Sequence, residues 1–209
     1  MSRPDGELIA TVVRLQVQSS PLKGRPAGSG PYDPGPLLEV AALEVGPTGC
    51  TGLTGGPAPR RVIDVHSAEH PQSRQVRGVN GLSVLPTAHY AALRQRYGPH
   101  LVDGVAGENL LLECGPLTVA DLSGTLLLEA DQGVLELTGA LAAAPCVEFT
   151  QFVLGRKPGD TGPEVLAGLD DLDHGVRGFY LRVAGTGTVR AGARLLRSCA
   201  PDREATGPR

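Results

Sequence analysis

The chain contains 209 residues, of which 41% are hydrophobic, and its 19 basic and 22 acidic residues give a net charge of −3 at pH 7. This length and composition suffice for one sizeable domain with its own core. No long run of one charge sign occurs, so we expect neither a nucleic acid nor a membrane as a partner. The N-terminus lacks the pattern of a signal peptide, and no apolar stretch approaches the roughly 18 residues of a membrane-spanning helix, which predicts a cytoplasmic location.

Strand patterns dominate the first third of the chain. Residues 8–17 are rich in Val and Leu and are predicted to form the first strand, and residues 37–45 the second. Residues 18–36, between them, are rich in Pro and Gly and are predicted to form a long loop. A second Gly- and Pro-rich stretch at residues 46–59 is also predicted to be a surface loop, before a short strand at residues 61–65.

The clearest helix pattern begins near Thr87, a suitable N-cap residue, and ends at Gly98, which is followed by Pro99. Short strands separated by turns follow it, and we predict that they form a β-meander: residues 109–112, 117–119, 125–129 and 134–137.

The last part of the chain alternates between short helices and strands. The patterns predict helices at residues 147–154 and 164–172 and closing strands at residues 179–184 and 194–197. Residues 198–209 are polar and are predicted to be a disordered tail, which leaves residues 1–197 as a single domain. Short strands at close spacing with few short helices predict a mainly β (α+β) fold, a barrel or a sandwich.

The chain has four cysteines, Cys50, Cys114, Cys146 and Cys199, and no Cys-x-x-Cys pair. This spacing argues against a zinc ribbon and against a small disulfide scaffold, so reduced thiols are expected.

Cys146 has the most informative local sequence of the four. Pro145 fixes its own backbone angle and favours an extended Ala144, so Cys146 should lie at a bend. If residues 147–154 are helical, the free N–H groups of the helix start favour a thiolate, the form that binds a soft metal or carries sulfur. The alternative is a small buried hydrophobic residue, which is the commoner role of a single cysteine.

Three stretches of the sequence together resemble a known family: Gly-Val-Ala-Gly-Glu-Asn-Leu-Leu-Leu-Glu at residues 104–113, the Pro145-Cys146 step, and residues 174–192, which contain Arg-Gly-Phe-Tyr and then Gly-Thr-Val. They resemble the signature of the MOSC family, named after the C-terminal domain of molybdenum cofactor sulfurase, over roughly residues 7–197. The resemblance implies a MOSC-type β-barrel in a divergent, bacterial-type, single-domain member.

The resemblance also implies a site. In family members that carry the molybdenum cofactor (molybdopterin), the matching cysteine binds molybdenum, which makes Cys146 the expected metal ligand and catalytic residue. The phosphate of the pterin needs cationic and N–H partners. The residues that match family positions around the cofactor are Lys23, Asn80, Thr87, Glu108, Asn109 and Arg177.

The sequence departs from the family pattern in two places. Residues 52–57 lack the acidic and basic groups of a Gly-Asp-Arg-His-like step, and Gly192-Ala193 stands where Gly-Asp is usual. The nearest groups that could substitute for the missing ones are Arg60, Arg61, Asp64 and His66.

A competing motif is His66-Ser-Ala-Glu-His70, which spells the His-x-x-Glu-His of inverted zinc peptidases. That motif requires a sustained helix, whereas a strand pattern precedes it and Pro71 follows His70 at once. A polar loop after the strand fits the sequence better, and the other alternative is that His66, His70 or Arg74 lines the pterin pocket.

Two classes of function follow from the resemblance. The first is an oxidoreductase that removes oxygen from N-hydroxylated small molecules, with electrons from a separate donor protein. The second is a carrier that holds a persulfide or the cofactor in transit on Cys146. A barrel that has lost both roles is a third alternative, which the altered residues 52–57 favour.

Overall fold

The computed structural model describes residues 6–24, 30–73 and 81–199. These residues contain three short helices, α1 (Thr87–Tyr97), α2 (Val147–Val153) and α3 (Pro163–Leu172). Their strands are β1 (Gly6–Gln18), β2 (Leu37–Glu39), β3 (Ala42–Gly46), β4 (Gly49–Leu53), β5 (Arg61–Ile63), β6 (Leu82–Pro86), β7 (Leu110–Glu113), β8 (Leu126–Ala130), β9 (Gly133–Ala142), β10 (Phe179–Ala184), β11 (Gly187–Val189) and β12 (Arg194–Ser198). Within the described ranges no helix is long and apolar enough to cross a membrane.

Seven of the described strands close into a barrel, in the order β1-β7-β6-β10-β9-β8-β12, because β12 pairs back with β1. All neighbours are antiparallel except β6 and β7. β2 extends the end of β1, and a second sheet has the order β11-β3-β4-β5. The predicted β-barrel with a few short helices is confirmed.

The long strand β1 connects the parts of the barrel. Its first half pairs with β12, its middle with β7 and its end with β2. The register shifts between Leu8 and Ala10 and again between Val12 and Arg14. Such irregularities increase the local bend and twist of a strand, which a closed barrel requires.

Two hydrophobic clusters hold the fold together. The larger fills the barrel and contains Val12, Leu126 and Phe179, all fully buried. The smaller contains Tyr90 of α1 and Phe149 of α2 and lies where the helices pack on the barrel. The candidate site borders this second cluster, because Cys146 is packed against it while partly buried.

Two predictions about the first third of the chain were wrong. The strand predicted at residues 37–45 is divided into β2 and β3, which belong to different sheets. The loop predicted at residues 46–59 contains β4, in which Gly49 has a positive φ of 127° beside the turn and Gly52 is required by packing. A Cβ atom on Gly52 would approach Val40 Cγ1 to 2.7 Å, so only glycine allows β4 to lie this close to its neighbours.

Later in the chain, the strand predicted at residues 117–119 does not form. The Asp121 carboxylate accepts hydrogen bonds from the Thr118 N–H at 2.8 Å and the Thr118 hydroxyl at 2.7 Å, so a local turn takes the place of strand pairing. The predicted meander is therefore limited to the β8–β9 hairpin, since β7 pairs with β1 and β6 instead. Strands β6 and β11 were not predicted.

The helix predicted from Thr87 is confirmed as α1, but Thr87 is not its N-cap. β6 runs directly into the helix, so that Pro86 occupies the N-cap position and no side chain caps the helix there. Thr87 is the first helical residue, and it is half-buried.

Candidate functional site

Cys146 lies in the connection between β9 and α2, directly before the first residue of the helix, as the Pro-Cys sequence predicts. Its backbone is extended (φ −115°, ψ 159°), and its carbonyl accepts the first helical hydrogen bond, from the Thr150 N–H at 2.9 Å. The thiol is neither fully buried nor fully exposed. A bend and a helix start therefore fix the direction in which the cysteine points.

A cavity of about 270 Å³ opens beside Cys146. Its walls come from four segments: the end of β1 with the loop after it, the loop after β5, the residues before α2, and the turn before β10. The polar side chains that line it besides Cys146 are Gln18, Lys23, Tyr32, His66, Gln72, Arg177 and Tyr180. Cationic, hydroxyl, amide and imidazole groups are thus gathered around one thiol.

Arg177 is fixed on two sides. Its guanidinium carbon lies 5.2 Å from the centre of the Phe149 ring, and its Nη2 donates to the Ala106 carbonyl at 3.3 Å. Its Nε is buried and has no hydrogen-bond partner among the described residues. Burial lowers the pKa of Arg177, but Tyr180, Tyr32 and Cys146 outweigh it and raise the pKa above its ordinary value. The side chain is therefore permanently charged, and its Nε–H is a donor that a ligand could use.

Tyr32 and Lys23 form another part of the cavity wall. Their backbones pair as an isolated antiparallel bridge. The Tyr32 ring packs edge-on against Phe149 at 5.1 Å, and its hydroxyl donates to the Val105 carbonyl at 2.7 Å. Burial raises the pKa of Tyr32, so the phenol stays neutral. Lys23 is exposed and places its charge at the rim of the cavity.

His66 is oriented by a buried carboxylate. The Asp64 side chain is 1% exposed, and its Oδ1 lies 3.0 Å from Nδ1 of His66. The Asp64 Oδ2 accepts from the Gln18 N–H at 2.8 Å and from Nδ2 of Asn109 at 3.1 Å. Because Asp64 takes Nδ1, Nε2 of His66 is the nitrogen left for a ligand in the cavity.

Asn109 supports the Asp64–His66 pair from behind. Its Oδ1 accepts from the N–H and the hydroxyl of Ser83, at 3.1 and 2.9 Å, and its Nδ2 bonds to Asp64. The side chain therefore ties β6 to the segment that carries Asp64 and His66. It supports the wall of the cavity without lining it.

Glu108 is 4% exposed, and its Oε2 accepts a hydrogen bond of 2.8 Å from the Tyr90 hydroxyl. Its Oε1 is buried without a partner in the described part of the chain. Burial raises the pKa of Glu108 to about 7, although its own backbone N–H, the Tyr90 hydroxyl, Arg14 and Arg177 oppose that rise.

The arrangement does not match a peptidase. His66 and His70 lie in a series of turns rather than on a helix, His66 is paired with Asp64, and His70 Nδ1 accepts from the Gln72 N–H at 3.1 Å. No group of three or more His, Cys, Asp or Glu side chains in the described ranges could hold a metal ion.

Comparison with known families identifies the barrel. A family model described as MOSC domain matches residues 74–195, more than half of the chain. The chain belongs to the MOSC domain family. A search of curated proteins gives no match to this MOSC domain.

Two solved structures share its fold. The YuaD protein from Bacillus subtilis is similar over 89% of this chain and 93% of that one, with a TM-score of 0.54 and 13% sequence identity. A crystal structure of a hypothetical protein is similar over 90% of this chain and 68% of that one, with a TM-score of 0.53 and 15% identity. At these identities the likeness concerns the fold of the MOSC domain alone.

Of the predicted site residues of this MOSC domain, the structure brings Cys146, Lys23 and Arg177 to one cavity. Glu108 and Asn109 lie behind its wall, and their expected roles towards a cofactor stay predictions. Thr87, although described, is not among the residues that line the cavity. Asn80 and Arg74 lie outside the described residues.

Gln18, Gln72 and Tyr32 also line the cavity, although the sequence did not predict them as site residues, and Tyr180 had no predicted role of its own. Tyr32 carries the one available signal, since it is the only aromatic residue within the Pro- and Gly-rich residues 18–36. A lone aromatic ring in such a segment needs a packing partner, and here that partner is Phe149.

Proposed function

We propose that this cavity binds the molybdenum cofactor with Cys146 as the protein ligand to the metal, and that the protein is an oxidoreductase that reduces N-hydroxylated small molecules. The observation that carries the proposal is the meeting of Cys146, Arg177 and Lys23 at one cavity. A soft sulfur ligand beside two cations suits a cofactor that combines a thiolate-liganded metal with a phosphate.

The residues present fit that group chemically. Arg177 keeps a buried Nε that lacks a partner among the described residues, and an anionic oxygen would satisfy it. Lys23 at the rim adds a second charge that a phosphate near the entrance could use. The volume of about 270 Å³ lies just below the range for ligand pockets, which begins at roughly 300 Å³.

The bound cofactor would supply a redox-active metal that exchanges two electrons with the substrate. Reduction of an N-hydroxyl group breaks the N–O bond and consumes two electrons and two protons, which leaves an N–H bond and water. The electrons would come from a separate donor protein. His66, held through Nδ1 by Asp64, is the group that could hold or transfer a proton at its Nε2.

The proposal is tested by measuring molybdenum and pterin in protein purified from a host that makes the cofactor. Wild type, Cys146→Ala and a matched control, Cys114→Ala, are compared, because Cys114 is also a free and partly exposed thiol. Near-stoichiometric molybdenum in wild type and Cys114→Ala, and its loss in Cys146→Ala, is the expected result. No molybdenum in any of the three would overturn the proposal.

The same three protein preparations distinguish the enzyme hypothesis from the carrier hypothesis. Sulfur that cyanide releases from wild type but not from Cys146→Ala, in the absence of molybdenum, would identify a persulfide on Cys146 and favour the carrier. Protein that contains molybdenum is then assayed with an N-hydroxylated substrate and a chemical reductant in place of the donor protein. If the protein is this enzyme, wild type and Cys114→Ala should form the reduced amine and Cys146→Ala should not.

A further inference from the structure

The backbone segment at residues 103–107, which we call the strap, has an unusual set of contacts. Each of its five consecutive carbonyls accepts a hydrogen bond from a side chain. The donors, in the order of the carbonyls, are Arg14 at 3.0 Å, Gln16 at 2.7 Å, Tyr32 at 2.7 Å, Arg177 at 3.3 Å and Gln18 at 2.7 Å. Three of them, Gln18, Tyr32 and Arg177, line the cavity of Cys146. The strap therefore determines where these three cavity groups lie.

The strap is itself held by a hydrogen-bond chain with a fixed direction. The Ala106 N–H can only donate, and it donates to the Tyr90 hydroxyl oxygen at 2.9 Å. The single Tyr90 hydroxyl proton is then free to point to Oε2 of Glu108, 2.8 Å away. Glu108 Oε2 must be an acceptor in this chain. Any proton that Glu108 carries belongs on Oε1, the buried oxygen without a partner among the described residues.

Charged and titratable groups face Glu108 from each element around it. Tyr90 approaches from α1, Arg14 from β1 and Arg177 from the turn before β10, and Tyr32 interacts with it from the loop after β1. Burial raises the pKa of Glu108 to about 7 against the pull of the two arginines. The carboxyl group thus changes charge close to neutral pH, beside a cation that lines the cavity.

We propose that Glu108 is a positioning residue that also controls the charge of the cavity: it fixes the strap through Tyr90, and when it loses its proton the cavity binds anions less tightly. The ionised carboxylate offsets part of the field of Arg177, whereas the protonated carboxyl leaves that field intact. The inference rests on the proposed function for its ligand, the phosphate of a cofactor. The potential at Cys146 can nevertheless be measured without any cofactor.

The test uses Cys146 as a reporter of that potential in the full chain. Its alkylation rates with iodoacetate, an anion, and with iodoacetamide, which is neutral, are followed by mass spectrometry of the Cys146 peptide from about pH 6 to 8. Both reagents require the thiolate, so the ratio of the two rates cancels the thiolate fraction. Wild type, Glu108→Gln and the control Glu113→Gln are compared, because Glu113 is exposed at the end of β7.

In wild type and in Glu113→Gln, the ratio of the iodoacetate rate to the iodoacetamide rate should fall as pH rises. This fall should be at least about twofold larger than in Glu108→Gln, because Glu108→Gln alone lacks the buried carboxylate charge. His66 is present in all three proteins, so their difference isolates Glu108. An equal fall in wild type and Glu108→Gln would overturn the inference.

A second measurement needs no variant, in case Glu108→Gln does not fold. In wild type labelled with 13C-glutamate, one side-chain carboxyl carbon should titrate near pH 7, and the absence of such a carbon would overturn the inference. Failure of the proposed function gives a different result, which is the absence of molybdenum in purified protein. The pH dependence of the alkylation ratio does not depend on that result, because it is measured without a cofactor.

Discussion

Replacement of Glu108 by glutamine should change how the stability of the protein depends on pH. Burial raises the pKa of Glu108 from 4.5 to about 7, so the folded protein binds this proton more tightly than the unfolded chain does. Between these two values the unfolded chain has released the proton and the folded protein has kept it. The free energy of unfolding therefore falls as pH rises through this window, and the contribution is lost once pH exceeds about 7.

The size of the effect follows from the same two values. A rise from 4.5 to about 7 corresponds to a contribution of about 3 kcal/mol, at about 1.4 kcal/mol for each tenfold change in proton affinity. Glu108→Gln removes this contribution and keeps an oxygen that can accept from the Tyr90 hydroxyl. The introduced amide places two N–H donors where the protonated carboxyl places one, and Oε1 has no partner among the described residues. The variant is therefore expected to be less stable at low pH, with a flatter pH dependence.

The assay is urea unfolding followed by circular dichroism at several values from about pH 5 to 8, since the chain contains no tryptophan for fluorescence. The free energy of unfolding of wild type minus that of Glu108→Gln should fall by most of about 3 kcal/mol over this range. The curve of unfolding free energy against pH for the exposed control Glu113→Gln should remain parallel to that of wild type. Parallel curves for wild type and Glu108→Gln would refute the reasoning.

Three further predictions concern the cavity. Phe149→Ala should lower the free energy of unfolding by about 3–5 kcal/mol, measured by urea unfolding, because it leaves a void under Tyr32 and Arg177. Gly107→Ala should lower the melting temperature, because Gly107 has φ +85° and an added Cβ would lie 2.7 Å from Nε2 of Gln18. Arg177→Ala should lower the pterin content of purified protein at least about tenfold, because the proposed cofactor site would lose a charge-assisted bond to the phosphate.

Each of the three has an outcome that contradicts it. A loss below about 1 kcal/mol for Phe149→Ala would mean that the ring does not support the cavity. An unchanged melting temperature for Gly107→Ala would mean that the strap can shift away from Gln18. For Arg177→Ala the matched control is Arg182→Ala, an exposed arginine of β10. Equal pterin losses in the two variants would remove Arg177 from the proposed site.

The sequence predicted those elements that are determined by neighbouring residues. Helices α1, α2 and α3, strand β1 and the β8–β9 hairpin all carry their own apolar pattern or turn residues, so local reasoning was sufficient. Strand β4 was missed because its Gly52 is required by close contacts with Val40 and with Val17 of β1, which no local pattern indicates. The barrel closure between β1 and β12 and the parallel pairing of β6 with β7 are likewise non-local.

The same division applies to the candidate site. The position of Cys146 before a helix follows from Pro145 and the residues after it, so the sequence predicted it. The contact between the Tyr32 hydroxyl and Val105 joins residues 73 positions apart, and no local pattern indicates it. The role of Asp64 beneath His66 was not predicted for the same reason, because its burial depends on β1 and on Asn109.

The altered residues 52–57 raised the alternative of a barrel that has lost its site, and the structure offers an argument against it. Arg61, one of the possible substitutes, pairs with Glu44 at the surface, 2.7 Å away. Asp64 and His66 instead provide an acid and a base beside the cavity. A buried carboxylate costs several kcal/mol unless it is hydrogen-bonded, and an apolar residue would serve a purely structural barrel at lower cost. The presence of a buried Asp64, with hydrogen bonds that orient His66 at the cavity of Cys146, therefore favours a working site built from a different loop.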